Sequence, residues 1–508
     1  MLGSSGYPVV LTADRSLTAG YRLLFDGILA ASQTTITPYP LFRLLLMPRS
    51  ASVGVRARLA PLGLRRIEAA LRSAGFAQDD VVVADERHLR EAIGPATRVI
   101  GVSAGEPTGC GMSTTTMRAI SGGRPYPSVL FRRLMVTIRN TIHRTGSPAR
   151  VVVGGPGAWQ LAEPSEVRGE LGADHVILGY AEGNVAEIFK KMANGEELPE
   201  LLTGEGVRAQ DIPPIVGAST MGVIEISRGC GLGCGFCTIA RTPMRHLPEE
   251  TILADARTNL AAGIRDLCVI SEDLFRYGGG GLPVRPQRLI DLLTRLRELD
   301  GVRLIQTDHG NISSVWSYTD AQLETVRRLL VGPTGQRYPW VNVGVETASG
   351  TLLKANGGGP KMQPYPPDQW PSLCRAQIQR LCHAGFFPMA SIVLRLPGEK
   401  EGDVRATLDW VRSLGRERVA VFPLLYAPVD GAAPVLRRDL TRLHWRLIRA
   451  CYRLNFKWIP RMYWDNQRAA GVGATRRCLM QALGWGQAAL WRSMFALHTM
   501  RSRSDRAD

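Results

Sequence analysis

Cysteine is scarce and mostly scattered: nine in 508 residues, an odd number. That excludes the paired disulfide framework of a small secreted domain and fits a reducing cytosol. Long apolar runs are also lacking. The richest stretches, "LFRLLLMP" (41 to 48) and "VAVFPLLYAPV" (419 to 429), fall well short of the ~20 residues a bilayer-spanning helix needs. The N-terminus "MLGSSGYPVVLTADR" has no basic head followed by an apolar core and cleavage site, so no targeting signal is expected and the chain is expected to be cytoplasmic. Acidic residues thin out toward the C-terminus. From Gly431 onward 15 Lys and Arg face 4 Asp and Glu, so about +11 of the net charge of +17 sits in the last 78 residues. Such a tail fits anionic lipid, nucleic acid, a negatively charged substrate or simply a solvated helical face.

What is present is a long alternation of strand and helix, in a chain large enough for two or three domains. "PVVLTA" (8 to 13), "DVVVAD" (80 to 85), "RVIGVSA" (98 to 104), "ARVVVGG" (149 to 155) and "DHVILGY" (174 to 180) read as buried strands. Helical periodicity marks "PLGLRRIEAALRSAGF" (61 to 76), "SVLFRRLMVTIRNTIHRTG" (128 to 146) and "EGNVAEIFKKMANG" (182 to 195). This alternation predicts an α/β fold, a doubly wound parallel sheet over residues 1 to 200 with its ligand beyond the carboxyl ends of the strands. Residues 201 to 220, with paired prolines, predict a linker. From 221 to 430 six more units follow, with strands starting near 222, 266, 303, 340, 389 and 418. They predict a partial (β/α)6 barrel of TIM type that works at its C-terminal rim. Residues 431 to 508 read as a basic helical region.

Chemistry concentrates in "SRGCGLGCGFC" (227 to 237), where Cys230, Cys234 and Cys237 follow the first of these barrel strands. Zinc normally takes four ligands, and the nearest further donor is His246. Three thiolates on one loop suit a cubane cluster with one iron left open. This spacing, with the aromatic Phe236 before the last cysteine, resembles the radical SAM superfamily. The resemblance covers roughly residues 60 to 430. It implies a [4Fe–4S] cluster on the three cysteines that binds S-adenosylmethionine (SAM) and cleaves it to a 5′-deoxyadenosyl radical. It further implies that "SED" after the second strand, Ser271, Glu272 and Asp273, supplies an acid for the amino group of SAM. "VGVETAS" offers Glu346, Thr347 and Ser349 to its ribose and carboxylate. Arg395 stands where many relatives have glycine, which leaves it to the SAM carboxylate or to the substrate. Asp308, His309 and Asn311 in "QTDHGNISS" are candidates for substrate contact or proton transfer, and Tyr426, past the sixth strand, for contact with SAM or substrate.

The N-terminal half resembles the cobalamin-binding domain of cobalamin-dependent radical SAM enzymes. "PLGL" opens a helix there, and "VSAGEP", "GGPGAW" and "GYAEGN" close successive strands. By that resemblance Ser103, Gly154, Gly155, Gly179 and Glu182 line a corrin pocket. The loop "DRSLTAG" carries Ser16 where other cobalamin domains carry a cobalt-ligating histidine, so no histidine on cobalt is expected. The combined resemblance implies C-methylation of an unactivated carbon, with a flavodoxin- or ferredoxin-like one-electron donor and a small-molecule or lipid substrate. Alternatives are radical rearrangement without methyl transfer, and tRNA modification. The last is disfavoured because the N-terminal domain lacks the extra cysteine set of methylthio-transferring relatives, so nucleic acid is not an expected partner. Tryptophans interleaved with arginine in the basic tail fit either contact with a membrane surface or a lid, and "YWDNQR" (Tyr463 to Arg468) reads as facing the cavity.

Overall fold

The computed structural model of the chain describes residues 5–279, 284–428 and 434–504, the last helix with side chains to residue 497. Two compact units are present, one formed by residues 1–224 and 247–264, the other by 225–246 and 265–508.

The first unit is built on six parallel strands, β1 (Val9–Ala13), β2 (Val81–Val83), β3 (Val99–Ser103), β4 (Arg150–Gly154), β5 (His175–Leu178) and β6 (Leu201–Thr203). Their order in the sheet is β2-β1-β3-β4-β5-β6. Successive strand residues enter opposite layers, as pleating requires. Val9, Leu11 and Val152 pack with α1 (Leu62–Ser73) and α3 (Val185–Ala193) on one face. Val10, Val151 and Val153 pack with α2 (Tyr126–Thr145) on the other. Burial on both faces is why these strands read as continuous apolar runs. The order reverses between β1 and β3, so the ligand crevice of such a sheet lies between the loops after them.

Two features of this unit depart from the sequence expectation. The segment expected to be linker begins with β6, whose Leu201 pairs with Val176 at the sheet edge. The helix α4 (Glu249–Ala261), expected as the first helix of the barrel, packs within the first unit. Its Asp255 forms a fully buried ion pair with Arg66, Nη1 to Oδ1 at 3.0 Å, and accepts the backbone N–H of Ile215. A charge pair this deep survives only with its remaining lone pairs occupied, and the Pro213 carbonyl takes a further Arg66 N–H.

The strand β7 (Val223–Glu225), on which the division between units falls, leads into the cysteine loop. In the second unit β8 (Asp266–Ile270) pairs in parallel with β9 (Leu304–Thr307). A parallel four-stranded sheet comes next, running from the two-residue strand His309–Gly310 through β10 (Trp340–Glu346) and β11 (Phe387–Leu394) to β12 (Ala420–Leu425). β9 ends at Thr307, where the apolar run "RLIQT" ends, and the chain enters the four-stranded sheet at His309.

After α5 (Glu401–Ser413), the free edge of β12 is closed by α6 (Arg442–Ala469), which is followed by α7 (Ala474–Ser504). The Asn455 side chain donates to the Val421 carbonyl and accepts from the Val421 N–H, both at 2.8 Å, so a side chain does the work of a further strand. The start of α6 is tied by His444 to Glu399 beyond β11 (2.7 Å). Its end is tied to the turn before β10, where Asp465 accepts the N–H groups of Arg337 and Tyr338. The "YWDNQR" stretch is therefore spent on a clamp at the amino end of β10 and does not face a cavity at the carboxyl rim.

Candidate active site

The cysteine loop is shaped by its backbone. Gly229, Gly231 and Gly233 all have φ near +75°, where a side chain is strained. A Cβ on Gly229 would stand 2.5 Å from the Pro243 carbonyl oxygen. The turn is closed by Cys230 N–H to Thr242 O (2.9 Å) and Gly233 N–H to Ala240 O (3.0 Å), and Arg276 donates to the Cys230 carbonyl at 2.9 Å. Phe236 is buried beneath it.

A second glycine-rich segment, "ANGGGPK" (355 to 361), meets this loop. Gly235 N–H bonds the Asn356 carbonyl at 2.9 Å, and Gly357, at φ +81°, leaves no room for a Cβ against Gly233 O at 2.4 Å. The segment delivers Lys361, a residue the sequence reading missed. Lys361 forms a buried ion pair with Glu346 at the end of β10. Burial opposes its charge, but the Glu346 carboxylate and the nearby Cys234 and Cys230 sulfurs hold the ammonium above its ordinary pKa. Burial pushes the Cys234 thiol up to about 11 and raises Cys230 and Cys237 as well.

Two residues of the rim, Glu346 (φ +63°) and Arg395 (φ +66°), occupy the left-handed region without being glycine. Such strain persists only where surrounding structure imposes it, and it clusters at functional sites. At position 395 a glycine would take the same φ without strain. The Arg395 side chain is exposed, and its N–H bonds Glu399 at 2.9 Å. The pairing of β10 with β11 is irregular between Gly344 and Glu346, which re-aims Glu346 toward Lys361.

The other sequence candidates divide into rim and scaffold. Glu272 is open to solvent; burial of its surroundings, with the Asp308 and Glu225 carboxylates, raises its pKa against the pull of His309. Asp273 is fully buried and accepts from the Asn311 N–H (3.2 Å) and the Ser314 hydroxyl (2.5 Å). Ser271 is bonded to Ser227 and to the Asp273 N–H. Of the "SED" triplet only Glu272 is free to meet a ligand. Likewise Thr347 is buried against the Thr407 hydroxyl (3.1 Å), and Ser349 caps the short helix after β10 by accepting from Leu352 N–H (3.3 Å). Tyr426 is half-buried just past β12, its N–H on the Leu394 carbonyl. His246 donates from Nε2 to Gly279 O at 2.7 Å, and its Nδ1 is buried without a hydrogen-bond partner among the described residues.

His309 Nδ1 lies 2.8 Å from Asp308 and its Nε2 3.3 Å from the Asn342 amide. Burial opposes the imidazolium, yet Asp308, with Glu272 and Glu346 behind it, pushes the His309 pKa up to about 9. Histidine is ordinarily half-charged near pH ~6.5, so the raised pKa favours the imidazolium at neutral pH, a form in which Nε2 carries a proton and the Asn342 amide must turn its oxygen toward it. The stabilisation it contributes is complete below pH ~6.5 and is lost as pH rises through about 9. Asp308→Asn is expected to return His309 toward its ordinary pKa. Imidazole chemical shifts would then titrate across neutral pH, and the fall in denaturation midpoint between neutral and alkaline pH would flatten.

Among the described residues no three His, Cys, Asp or Glu side chains are gathered as metal ligands. The donor set itself, three free thiols on one glycine-rich turn, fits a cubane cluster. Two buried atoms nearby, Thr307 Oγ1 and Asn311 Oδ1, have no hydrogen-bond partner among the described residues, and buried polar atoms of this kind mark places where a ligand can supply the missing partner.

In the first unit the expected corrin-facing residues stand together at the carboxyl ends of β3, β4 and β5. A Cβ on Gly154 would stand 3.9 Å from the Ile177 carbonyl oxygen and one on Gly179 3.7 Å from that of Gly204, ordinary contacts, so neither glycine is imposed by close packing, though Gly179 has φ +91°. Gly155, at φ +96°, is held against Ser103 and Ala104. Glu182 lies in the loop after β5, half-buried. In the loop after β1, Asp14 caps a short turn by accepting from the Ser16 N–H (2.8 Å) and hydroxyl (2.5 Å). Burial raises Asp14 to about 6. The loop after β3 is organised by Gln160, which accepts from Thr108 and donates to Glu106 at 2.9 Å.

No family model matches the chain. It is similar to the ribosomal protein uS12 methylthiotransferase RimO of Moorella thermoacetica, 25% identical over 297 residues that cover 57% of this chain and 62% of that protein. It is also similar to the RimO of Paramagnetospirillum magneticum, 29% identical over 220 residues, 41% of this chain and 44% of that protein. The chain thus spans less than two thirds of the curated relatives it matches. Its fold is similar to that of TsrM, a radical S-adenosylmethionine methyltransferase from Kitasatospora setae, solved with tryptophan substrate and a SAM analogue (TM-score 0.54, 15% identity, 83% of this chain and 75% of that one). A second TsrM structure, with cobalamin and a [4Fe–4S] cluster bound, gives a TM-score of 0.53 at 16% identity, over 83% of this chain and 77% of that one.

Proposed function

We infer that this chain, which belongs to the B12-binding-domain-containing radical SAM family, is an enzyme that cleaves SAM at a [4Fe–4S] cluster and methylates an unactivated carbon with the help of cobalamin. The observation that carries the reading is the rim of the second unit: three free thiols on one turn, bonded through Gly235 and Asn356 to the segment that brings Lys361 onto Glu346. When bound, the cluster supplies an electron to the sulfonium C5′–S bond of SAM, and cobalamin supplies a methyl group to a carbon radical.

Cys230, Cys234 and Cys237 would hold the cluster. Glu272 would take the amino group of SAM, and Glu346 the ribose hydroxyls, while Lys361 keeps Glu346 aimed. The charged pair His309–Asp308 would donate to an anionic or carbonyl group of the substrate. Gly154, Gly155 and Gly179 would let a flat macrocycle approach the backbone, with Ser16, bound to Asp14, leaving cobalt without a histidine. The substrate class is a lipid or another amphiphilic, anionic metabolite, a reading supported by the basic C-terminal helices.

The curated relatives favour a second reading, methylthio transfer. Against it stands the cysteine count, since residues 1 to 224 contain Cys110 alone, too few for a second cluster. The deciding experiment is anaerobic reconstitution with iron, sulfide and hydroxocobalamin followed by gel filtration. Near-stoichiometric base-off cobalamin beside the cluster absorbance is the expected result, with product heavier by one methylene. Cluster without retained cobalamin, or product heavier by a methylthio group, would replace this reading with the second.

A further inference from the structure

The two C-terminal helices form an antiparallel hairpin. Trp445 and Tyr452 of α6 pack on Phe495 and Trp491 of α7. The outer surfaces of the two helices differ in kind.

On α6, Arg442, Arg446, Arg449, Arg453, Lys457 and Arg461 recur at intervals of three or four residues and are all exposed. They form one straight basic stripe. None of the six has a carboxylate partner among the described residues. Lys457 and Arg461 instead lie over the Trp458 ring, at 4.9 and 5.4 Å from its centroid. The only acidic residue of α6, Asp465, is buried in the clamp before β10.

On α7 there is no acidic residue at all. Met480, Ala488 and Phe495 are buried, while Leu479 (48% exposed), Leu483 (39%), Leu490 (65%) and Leu497 (54%) are presented to solvent. Their spacing of four, seven and seven puts all four on one narrow line of the helix. The same spacing would suit a coiled-coil seam, but the alternate seam positions are Gly486 and Ser493, which offer no knobs to a partner helix. A fluid apolar phase needs no such complement. No helix among the described residues is long and apolar enough to cross a membrane.

We propose that the α6–α7 hairpin docks the protein on an anionic lipid surface, with the α7 leucines entering the acyl boundary and the α6 arginines on headgroup phosphates. A helical hairpin with a basic stripe on one helix, an apolar line on the other and an exposed tryptophan, Trp485, has the makeup of interfacial binders. Polybasic contacts of this kind add about a factor of five in affinity per cation near the surface, and weaken with salt. The inference stands on this surface alone and does not depend on the chemistry assigned to the rim.

The test is cosedimentation of the full-length protein with vesicles of phosphatidylcholine alone and of phosphatidylcholine mixed with phosphatidylglycerol. Binding to the mixed vesicles only, weakened by salt, is expected. Arg446→Gln with Arg449→Gln should lower it by about fivefold per arginine, and Leu483→Glu with Leu490→Glu should abolish it. All four side chains are exposed, so circular dichroism should show both variants folded. Two outcomes would overturn the proposal. One is failure to bind mixed vesicles, or binding indifferent to both variants. The other is a dimer in ultracentrifugation that Leu483→Glu with Leu490→Glu dissociates, which would give the face to a second copy.

Discussion

Serine in place of Cys234 is expected to leave a folded chain that retains no iron–sulfur cluster and forms no 5′-deoxyadenosine. The substitution changes one atom of a buried side chain and removes no bond that shapes the turn. The backbone bonds of Cys230, Gly233 and Gly235 and the Arg276 contact do that work. What is lost is ionisation. A thiol pushed up to about 11 by burial can still give up its proton to iron, since metal binding is coupled to deprotonation; a serine hydroxyl cannot do so. Cys451 provides the control. It is fully buried in α6, with its thiol driven far above the ordinary range by burial alone. Cys451→Ser should therefore cost stability, as an unsatisfied hydroxyl in an apolar site costs about 1–3 kcal/mol, while iron content stays at the parent level. Iron and sulfide analysis, absorbance and thermal melts of the two variants separate the roles. Parent-level iron in Cys234→Ser would remove the cluster from this loop.

Much of the fold is legible in the sequence because burial on both sheet faces writes itself as continuous apolar runs. The strands around 9, 81, 99, 150, 175, 266, 304, 340, 387 and 420 stand where those runs stand. The cysteine loop is legible because its glycines and thiols are adjacent in sequence. Lys361 is not. It lies fifteen residues past its partner Glu346, behind a glycine run that reads as plain loop until Gly357 is seen to sit against Gly233. Side-chain parity fails for the same local reason at the strand ends. Beyond a strand the period of two no longer holds, and a left-handed Glu346 redirects the chain after it, so Thr347 turns inward to Thr407. Helix α4 looks like a barrel helix because its periodicity is that of any amphipathic helix. Its allegiance to the first unit rests on Asp255 and Arg66, 189 residues apart. In "YWDNQR" the density of polar groups reads as cavity chemistry, yet two backbone N–H groups before β10 need an acceptor and Asp465 supplies it.

The Glu346–Lys361 pair carries the other large effect. Lys361→Met should cost about 3–5 kcal/mol, the usual penalty for leaving one member of a buried ion pair without the other. The penalty has a sign in pH. Alone and desolvated, Glu346 should have a raised pKa in the folded variant. The variant should then be closest to parent stability in acid and lose ground as pH rises through that raised value. Denaturant midpoints across neutral pH measure this directly. Glu346→Gln acts in the opposite sense on the cysteines. It leaves the Lys361 ammonium with the Cys234 and Cys230 sulfurs as its chief charge partners, which should pull Cys234 down from about 11 and speed its alkylation near neutral pH. Joining the two changes should recover most of the stability lost in Lys361→Met, since replacing both partners removes the orphaned charge. Gly344→Ala offers an independent route to the same pair. Its Cβ would stand 2.2 Å from Glu346 Oε1 and 2.4 Å from Lys361 Nζ, so a methyl group there must part the two charges. If Gly344→Ala and Lys361→Met both left SAM cleavage at the parent level, the pair would be scaffold, and the ribose-facing role of Glu346 would fall with it.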